Sequence, residues 1–189
     1  MDDHEALERS TGEFRRRLCL ITEDQWNLPT DCEGWTVRDL VAHVTGGNLM
    51  VGMLERGSTA AEVLDMFQTD LLGDDPLAAW DRSVDEQAAA FRVDGALEQV
   101  WHHPAFDMAG SMVMGFRLAD PALHAWDLAR AIGADDQLDP ELMELLYAQM
   151  SPIADMMSGS GVFGEGRSGD LSDNAGVQDK VLDLSGRRP

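Results

Sequence analysis

Basic residues are scarce in this sequence, 14 against 35 acidic ones, for a formal net charge of −21. A chain this anionic repels phosphate backbones and anionic lipid headgroups, which argues against nucleic acid and membrane surfaces as partners, and it concentrates divalent cations. Cysteine occurs only at Cys19 and Cys32, so one disulfide is arithmetically open but a disulfide framework is not. No window holds 18 consecutive apolar residues, and no transmembrane helix is expected. The segment Met1-Asp2-Asp3-His4-Glu5 is acidic and lacks the apolar stretch of a secretory signal, so the cytoplasm is the expected compartment. Also missing are a Gly-x-Gly-x-x-Gly loop, a P-loop and a Gly-x-Ser-x-Gly elbow.

What remains is 189 residues with 44% hydrophobic and 26% charged content, enough for one well-cored domain spanning residues 1–189. The apolar period is helical almost throughout. Leu7, Phe14, Leu18 and Ile21 mark a first helix over residues 2–24. Pro29 and Gly34 then interrupt the pattern, and Thr36 with Asp39 reads as a capping box opening a second helix that runs to about residue 56 with Val37, Leu40, Val41 and Val44 as its stripe. Asp75-Pro76 starts a third helix with Leu77, Trp80, Val84, Ala88 and Phe91 on one side. Residues 94–108 read as a loop or short hairpin. A long fourth helix runs from Ala109 to Ile132, stopped by Gly133, with Pro121 either kinking it or marking its real start. Asp139-Pro140 opens a fifth, with Leu142, Leu145, Leu146 and Ile153. The Gly, Ser and Asp-rich residues 158–176 read as a mobile loop, and a short helix from Val177 to Leu184 closes the chain. The natural architecture is all-α, an antiparallel four-helix bundle with short extra helices.

Asp120 and His124 stand one helical turn apart, a spacing at which a carboxylate oxygen and an imidazole nitrogen can meet on one ion. Asp127 lies on the same face. A surface hydrogen-bonded pair is the competing account. His43 flanks the apolar stripe of the second helix, and Gly46 and Gly47 after it leave room near the imidazole. One such histidine alone reads as a satisfied core residue; two on helices that can pack together read as ligands. His102 and His103 are adjacent, so an extended chain sends them to opposite sides, and His4 sits in a terminus expected to fray. Cys32 reads as a small residue in a turn, although a reactive thiolate near the following helix is conceivable. Trp35 and Trp126 read as packing residues.

The run Trp26-x-x-Pro29-Thr30-x-Cys32-x-x-Trp35-Thr36-Val37-Arg38-Asp39-Leu40-Val41-Ala42-His43-Val44 resembles the amino-terminal signature of the mycothiol-dependent maleylpyruvate isomerase type of metal-binding domain. Asp120-x-x-x-His124-Ala125-Trp126-Asp127-Leu128-Ala129-Arg130-Ala131-x-Gly133 resembles its second signature. The closing Leu182 to Pro189 is similar to the ending of an actinobacterial subgroup of mostly unassigned function. The resemblance implies a DinB-like four-helix bundle holding a divalent ion, with His43 as first ligand, His124 as last, and Asp120 where the isomerase uses a glutamate one methylene longer. Asp127 would orient a histidine from behind the ligands.

Two imidazoles in the set favour zinc or nickel over magnesium. By resemblance, mycothiol or a similar low-molecular-weight thiol is the co-substrate, activated by the metal for attack on an electrophilic substrate, in an isomerase or thiol-transferase reaction. A homodimer is compatible with this reading, and no acid–base residue is identified. The alternative is a non-catalytic metal-binding bundle acting as a small-molecule or protein-binding module, or a regulatory domain sensing metal or redox state.

Overall fold

The computed structural model describes residues 1–155, 166–172 and 174–189, which divide into two compact units, Met1–Asp136 and Gln137–Pro189. In the first unit, α1 (Asp3–Leu18) begins where Oδ1 of Asp2 accepts the Glu5 amide at 2.8 Å, which places His4 in its first turn. Arg15, Arg16 and Arg17 complement the dipole at its other end. The helix stops at Leu18, earlier than its apolar spacing suggests, because Thr22 caps a separate 3₁₀ turn at Glu23–Gln25.

Helix α2 (Val37–Glu55) starts at the expected capping box: Thr36 accepts the Asp39 amide, and Asp39 accepts the Thr36 amide. Val37, Leu40, Val41 and Val44 are wholly buried. A short helix, α3 (Ala60–Met66), was not expected, although Thr59 and Glu62 form a second capping box at its start; only Val63 anchors it in the core. Helix α4 (Pro76–Phe91) opens on Asp75 with Pro76 at its first position. Its inward face is turned relative to the apolar stripe. Ser83 and Gln87 are fully buried beside Trp80, whereas Val84 and Ala88 are half-buried, because two polar side chains on α4 are claimed by buried partners described below.

The segment before α5 is a hairpin, β1 (Val100–His102) pairing antiparallel with β2 (Asp107–Ala109), Trp101 opposite Met108. Helix α5 (Gly110–Ile132) runs through Pro121, which therefore does not mark its start, and ends with Gly133 at a left-handed φ of 69°. Helices α1 and α2 each pack on both α4 and α5, which closes a four-helix bundle within this unit. Phe14 stacks on Trp80 at 4.6 Å and Phe91 on Trp101 at 5.7 Å. Fully burying each such ring contributes about 1.5–3 kcal/mol.

In the second unit, α6 (Pro140–Met150) packs against α7 (Val177–Leu184). Asp139 caps α6 through the amides of Glu141 and Leu142. The helix ends before Ile153, which is 41% exposed in a 3₁₀ turn. Of the stretch expected to be a mobile loop, residues 158–165 and 173 lie outside the described residues. Among the described residues, no helix is long and apolar enough to cross a membrane.

Candidate metal centre

Residues 117–127 of α5 read Arg-x-x-Asp-x-x-x-His-x-x-Asp, and steps of three, four and three put these four side chains along one helix face. His43 reaches the same place from α2. Oδ1 of Asp120 lies 3.5 Å from Nε2 of His43 and 3.5 Å from Nε2 of His124. Asp120's other oxygen, Oδ2, accepts from Nη1 of Arg117 at 2.7 Å. Nδ1 of His124 donates to Oδ2 of the buried Asp127 at 2.8 Å. Asp120 and His124 are thus each gripped on the far side, which leaves Oδ1 of Asp120 and the two Nε2 atoms facing one another.

Among the described residues, two groups of side chains bring their ligand atoms within 4.8 Å of one another: His43, Asp120 and His124, and Cys32, His124 and Asp127. Bonds of about 2.0–2.1 Å at tetrahedral angles place ligand atoms about 3.3 Å apart. The two 3.5 Å separations of the first group lie close to that spacing. In the second group, the 2.8 Å approach of His124 to Asp127 is a hydrogen bond, with the Cys32 thiol donating to the same carboxylate at 3.5 Å. That group reads as support for the first.

The charges are strongly coupled. Burial alone would raise the pKa of Asp120, but the Arg117 charge, followed by His124 and the histidine hydrogen bonds, holds it well below the usual carboxylate range. Burial alone would depress His124, but the Asp120 charge and hydrogen bond, then the hydrogen-bonding contacts with Asp127 and Cys32, raise it well above the usual imidazole value. Arg117 is itself buried, and desolvation lowers its pKa against the pull of Asp120.

Arg117 is the residue that sequence reasoning missed. Its guanidinium donates from Nε to Gln87 at 2.9 Å, from Nη2 to Asn48 at 2.7 Å and to the Val44 carbonyl at 3.3 Å, besides its bond to Asp120. Asn48 in turn donates to Ser83 at 3.0 Å, and Ser83 to the Trp80 carbonyl at 2.7 Å. A buried polar network therefore runs from α4 and α2 to the carboxylate. The space left by Gly46 and Gly47 is not vacant around His43, as the sequence suggested. A Cβ on Gly47 would overlap the Arg117 guanidinium, and one on Gly46 would overlap Phe67 and Leu71. No sequence signal separates Arg117: α5 also carries Asp120, His124, Asp127 and Arg130, and an arginine among them does not announce its burial.

The turn before α2 brings Trp35 and Cys32 to the site. Trp35 donates its amide to the Cys32 carbonyl at 3.0 Å, and Gly34 takes the left-handed φ of 79° that the turn requires. The Trp35 ring lies 4.6 Å from His43 and 5.9 Å from His124, so it is part of the site, whereas Trp126 is core, with Arg130 over its ring at 5.1 Å. His102 and His103 are elsewhere. His102 pairs with Asp107 at 3.0 Å on the exposed hairpin, and His103 accepts the Ala105 amide at 3.1 Å. Both cysteines are free thiols.

Comparison with solved structures finds the same fold in a mycothiol-dependent maleylpyruvate isomerase: a histidine-to-alanine mutant at a TM-score of 0.63 and 17% identity, and a second structure at 0.61 and 18%, each match covering 85% of this chain and 75% of the other. Uncharacterized proteins of two Mycobacterium tuberculosis strains, CDC 1551 / Oshkosh and H37Rv, are each 32% identical over 162 residues, 85% of this chain and 85% of theirs. Residues 7–129, which contain Cys32, Trp35, His43 and the whole Arg117–Asp127 face, match the family described as the mycothiol maleylpyruvate isomerase N-terminal domain. Matched over more than half its length, this chain belongs to that family.

Proposed function

We propose that this protein holds one divalent transition-metal ion between His43, Asp120 and His124, and uses it to activate a low-molecular-weight thiol of the mycothiol class for attack on an electrophile, in an isomerisation or thiol-transfer reaction. The observation that carries this reading is the convergence of both Nε2 atoms on Oδ1 of Asp120 at 3.5 Å, with the opposite atoms of Asp120 and His124 already held by Arg117 and Asp127. Two imidazoles and one carboxylate suit zinc or nickel better than magnesium. When bound, such an ion supplies Lewis acidity that lowers the pKa of a coordinated thiol.

The chain's own residues do the rest. Asp127 keeps the proton of His124 on Nδ1 and so aims the Nε2 lone pair. Arg117 fixes the rotamer of Asp120 and keeps it ionised, which offsets the shorter reach of aspartate relative to glutamate. The Trp35 ring against His43 shields one side of the site from water. Family membership and the name of the structural neighbours, a mycothiol-dependent maleylpyruvate isomerase, support a thiol as co-substrate. The reading puts the protein in the cytoplasm, where thiols are kept reduced.

Elemental analysis of protein purified without chelator or metal-affinity resin tests the first half, with about one zinc or nickel ion per chain expected. Stoichiometry near zero after zinc is added back would sink it. Thiol consumption with electrophilic acceptors, before and after chelation, tests the second half. Metal without thiol turnover would leave a metal-binding module that recognises a small molecule or a protein.

A further inference from the structure

An open pocket of about 490 Å³ lies against His43, lined among others by Trp35, Asp39, Phe67, Gln68 and Thr69. Two of its walls are aromatic and both are fixed. The Trp35 backbone is tied to Cys32 and Thr30 at 3.0 Å each, and its ring sits 4.6 Å from the His43 imidazole. Phe67, 6.5 Å from that imidazole, fills the gap left by Gly46 on α2. A pocket with such walls is suited to a flat ligand laid beside His43.

Its charge is one-sided. Among the described residues lining it there is no lysine or arginine, and the formal charge it carries is the carboxylate of Asp39. Hydrogen bonds from Thr36 keep that carboxylate ionised, with its pKa lowered. Arg38, next in sequence, is committed to Asp70 at 3.1 Å and to the Gly73 carbonyl at 3.4 Å. Exposed Asp31 and Glu33 precede Trp35, and exposed Asp65 and Asp70 flank the Phe67–Thr69 wall. The whole chain adds a net charge of −21.

We infer that the acceptor handled beside His43 is a flat, conjugated electrophile that carries no carboxylate or phosphate, so that the pocket sorts substrates by charge. The word acceptor rests on the metal–thiol reading above; the sorting belongs to the pocket itself. Dicarboxylates are the class most clearly rejected: an ion held at His43 could offset one carboxylate, but the second would face Asp39 with no lysine or arginine in the lining to pair with. Gln68 and Thr69 offer neutral hydrogen-bonding groups at the rim, which a carbonyl or amide of the acceptor can use.

Methyl phenyl sulfone and benzenesulfonate test the sorting: both are flat, of similar bulk, and poor zinc ligands, and they differ by one negative charge. Each is titrated into the full-length chain, with and without added zinc, while the Trp35 indole resonance (assigned by its loss in Trp35→Phe) and the Gly34 amide are followed by NMR. A unit charge about 6 Å from Asp39 at intermediate dielectric should weaken the sulfonate by about tenfold without zinc, and by less once a cation sits at His43. Gln68→Lys should bring the two ligands to within about threefold. Equal binding of the two, binding of neither, shifts remote from Trp35, or a gap that Gln68→Lys leaves unchanged would each overturn the inference. Sorting without any thiol turnover would sink the enzyme reading alone, and thiol turnover with equal binding would sink the sorting alone.

Discussion

The guanidinium of Arg117 occupies the space that a side chain on Gly47 would need. An α2 residue is therefore defined by what α5 inserts beside it, and substitution there strains a group that is buried and bonded on every side. Gly47→Ala should destabilise the protein by about 1–3 kcal/mol, the range for overpacking a tight interior, despite alanine's better helix propensity. The midpoint of urea unfolding measures it. A variant as stable as the parent would show that Arg117 can move aside at no cost.

Arg117→Met poses the opposite problem. It leaves Asp120 as a partly buried carboxylate without its guanidinium partner; removing one partner of a fully buried pair costs about 3–5 kcal/mol, and His124, still facing Asp120, reduces that loss here. A divalent ion bound at the site would replace that missing positive charge. The rise in melting temperature on adding zinc should therefore be larger in Arg117→Met than in the parent. A smaller rise would mean that Arg117 matters more for aiming Asp120 than for neutralising it.

The proposed ligand residues separate by role. His43→Ala and His124→Ala should abolish tight zinc binding by isothermal titration, whereas Asp120→Ala should weaken it, because water can take the place of a carboxylate oxygen. His102→Ala serves as the control, since that side chain pairs with Asp107 on the hairpin and should leave affinity unchanged. Greater damage from His102→Ala than from His43→Ala would relocate the site.

Affinity should depend on pH in a defined direction. His124 is raised above its usual 6.5 in the metal-free protein, so a proton must leave before Nε2 can bind an ion. Zinc affinity should still be climbing above pH 6.5, with close to one proton released per ion, measurable by titration in two buffers of different ionisation enthalpy. The stability of the metal-free protein should run the other way. The raised His124 contributes fully below about 6.5 and loses its contribution as pH rises through its folded value. The depressed Asp120 contributes above 3.8 and loses its contribution as pH falls through its lowered value. The pair is thus at its best between those limits.

Removing the ion should leave the helices standing. Phe14, Leu40, Trp80, Met114 and Leu118 are essentially fully buried without help from the site, and each contributes about 1.5–3 kcal/mol. Circular dichroism after chelation should keep its helical signal while thiol consumption is lost. Wholesale unfolding would instead give the ion a structural role.

Helix starts were legible because their chemistry is local. Thr36 with Asp39, Asp75 with Pro76, and Asp139 with Pro140 each announce themselves within a few residues. Helix α3 carried the same kind of signal in Thr59 and Glu62, but its single buried residue, Val63, left no apolar period to find. At the site, His43, Asp120 and His124 could be singled out by residue type, and the structure brings those three together. Arg117, Gln87, Asn48 and Ser83 could not, because nothing about a polar residue within a helix tells whether it faces water or a buried partner on another helix. The inward turn of α4 follows from that network, and so it was invisible for the same reason.

Gly46 and Gly47 are adjacent on α2, so their gaps point about 100° apart around the helix, one filled by Phe67 and the other by Arg117. Two pegs in perpendicular sockets pin a rod against both rolling and sliding. His43 sits three residues before the first socket, so the helix backbone that carries it is held beside α5 while the imidazole keeps its own side-chain freedom. If the site holds an ion as proposed, one that required α2 itself to shift would work against both pegs, and the two neighbouring glycines would set how far that helix can yield.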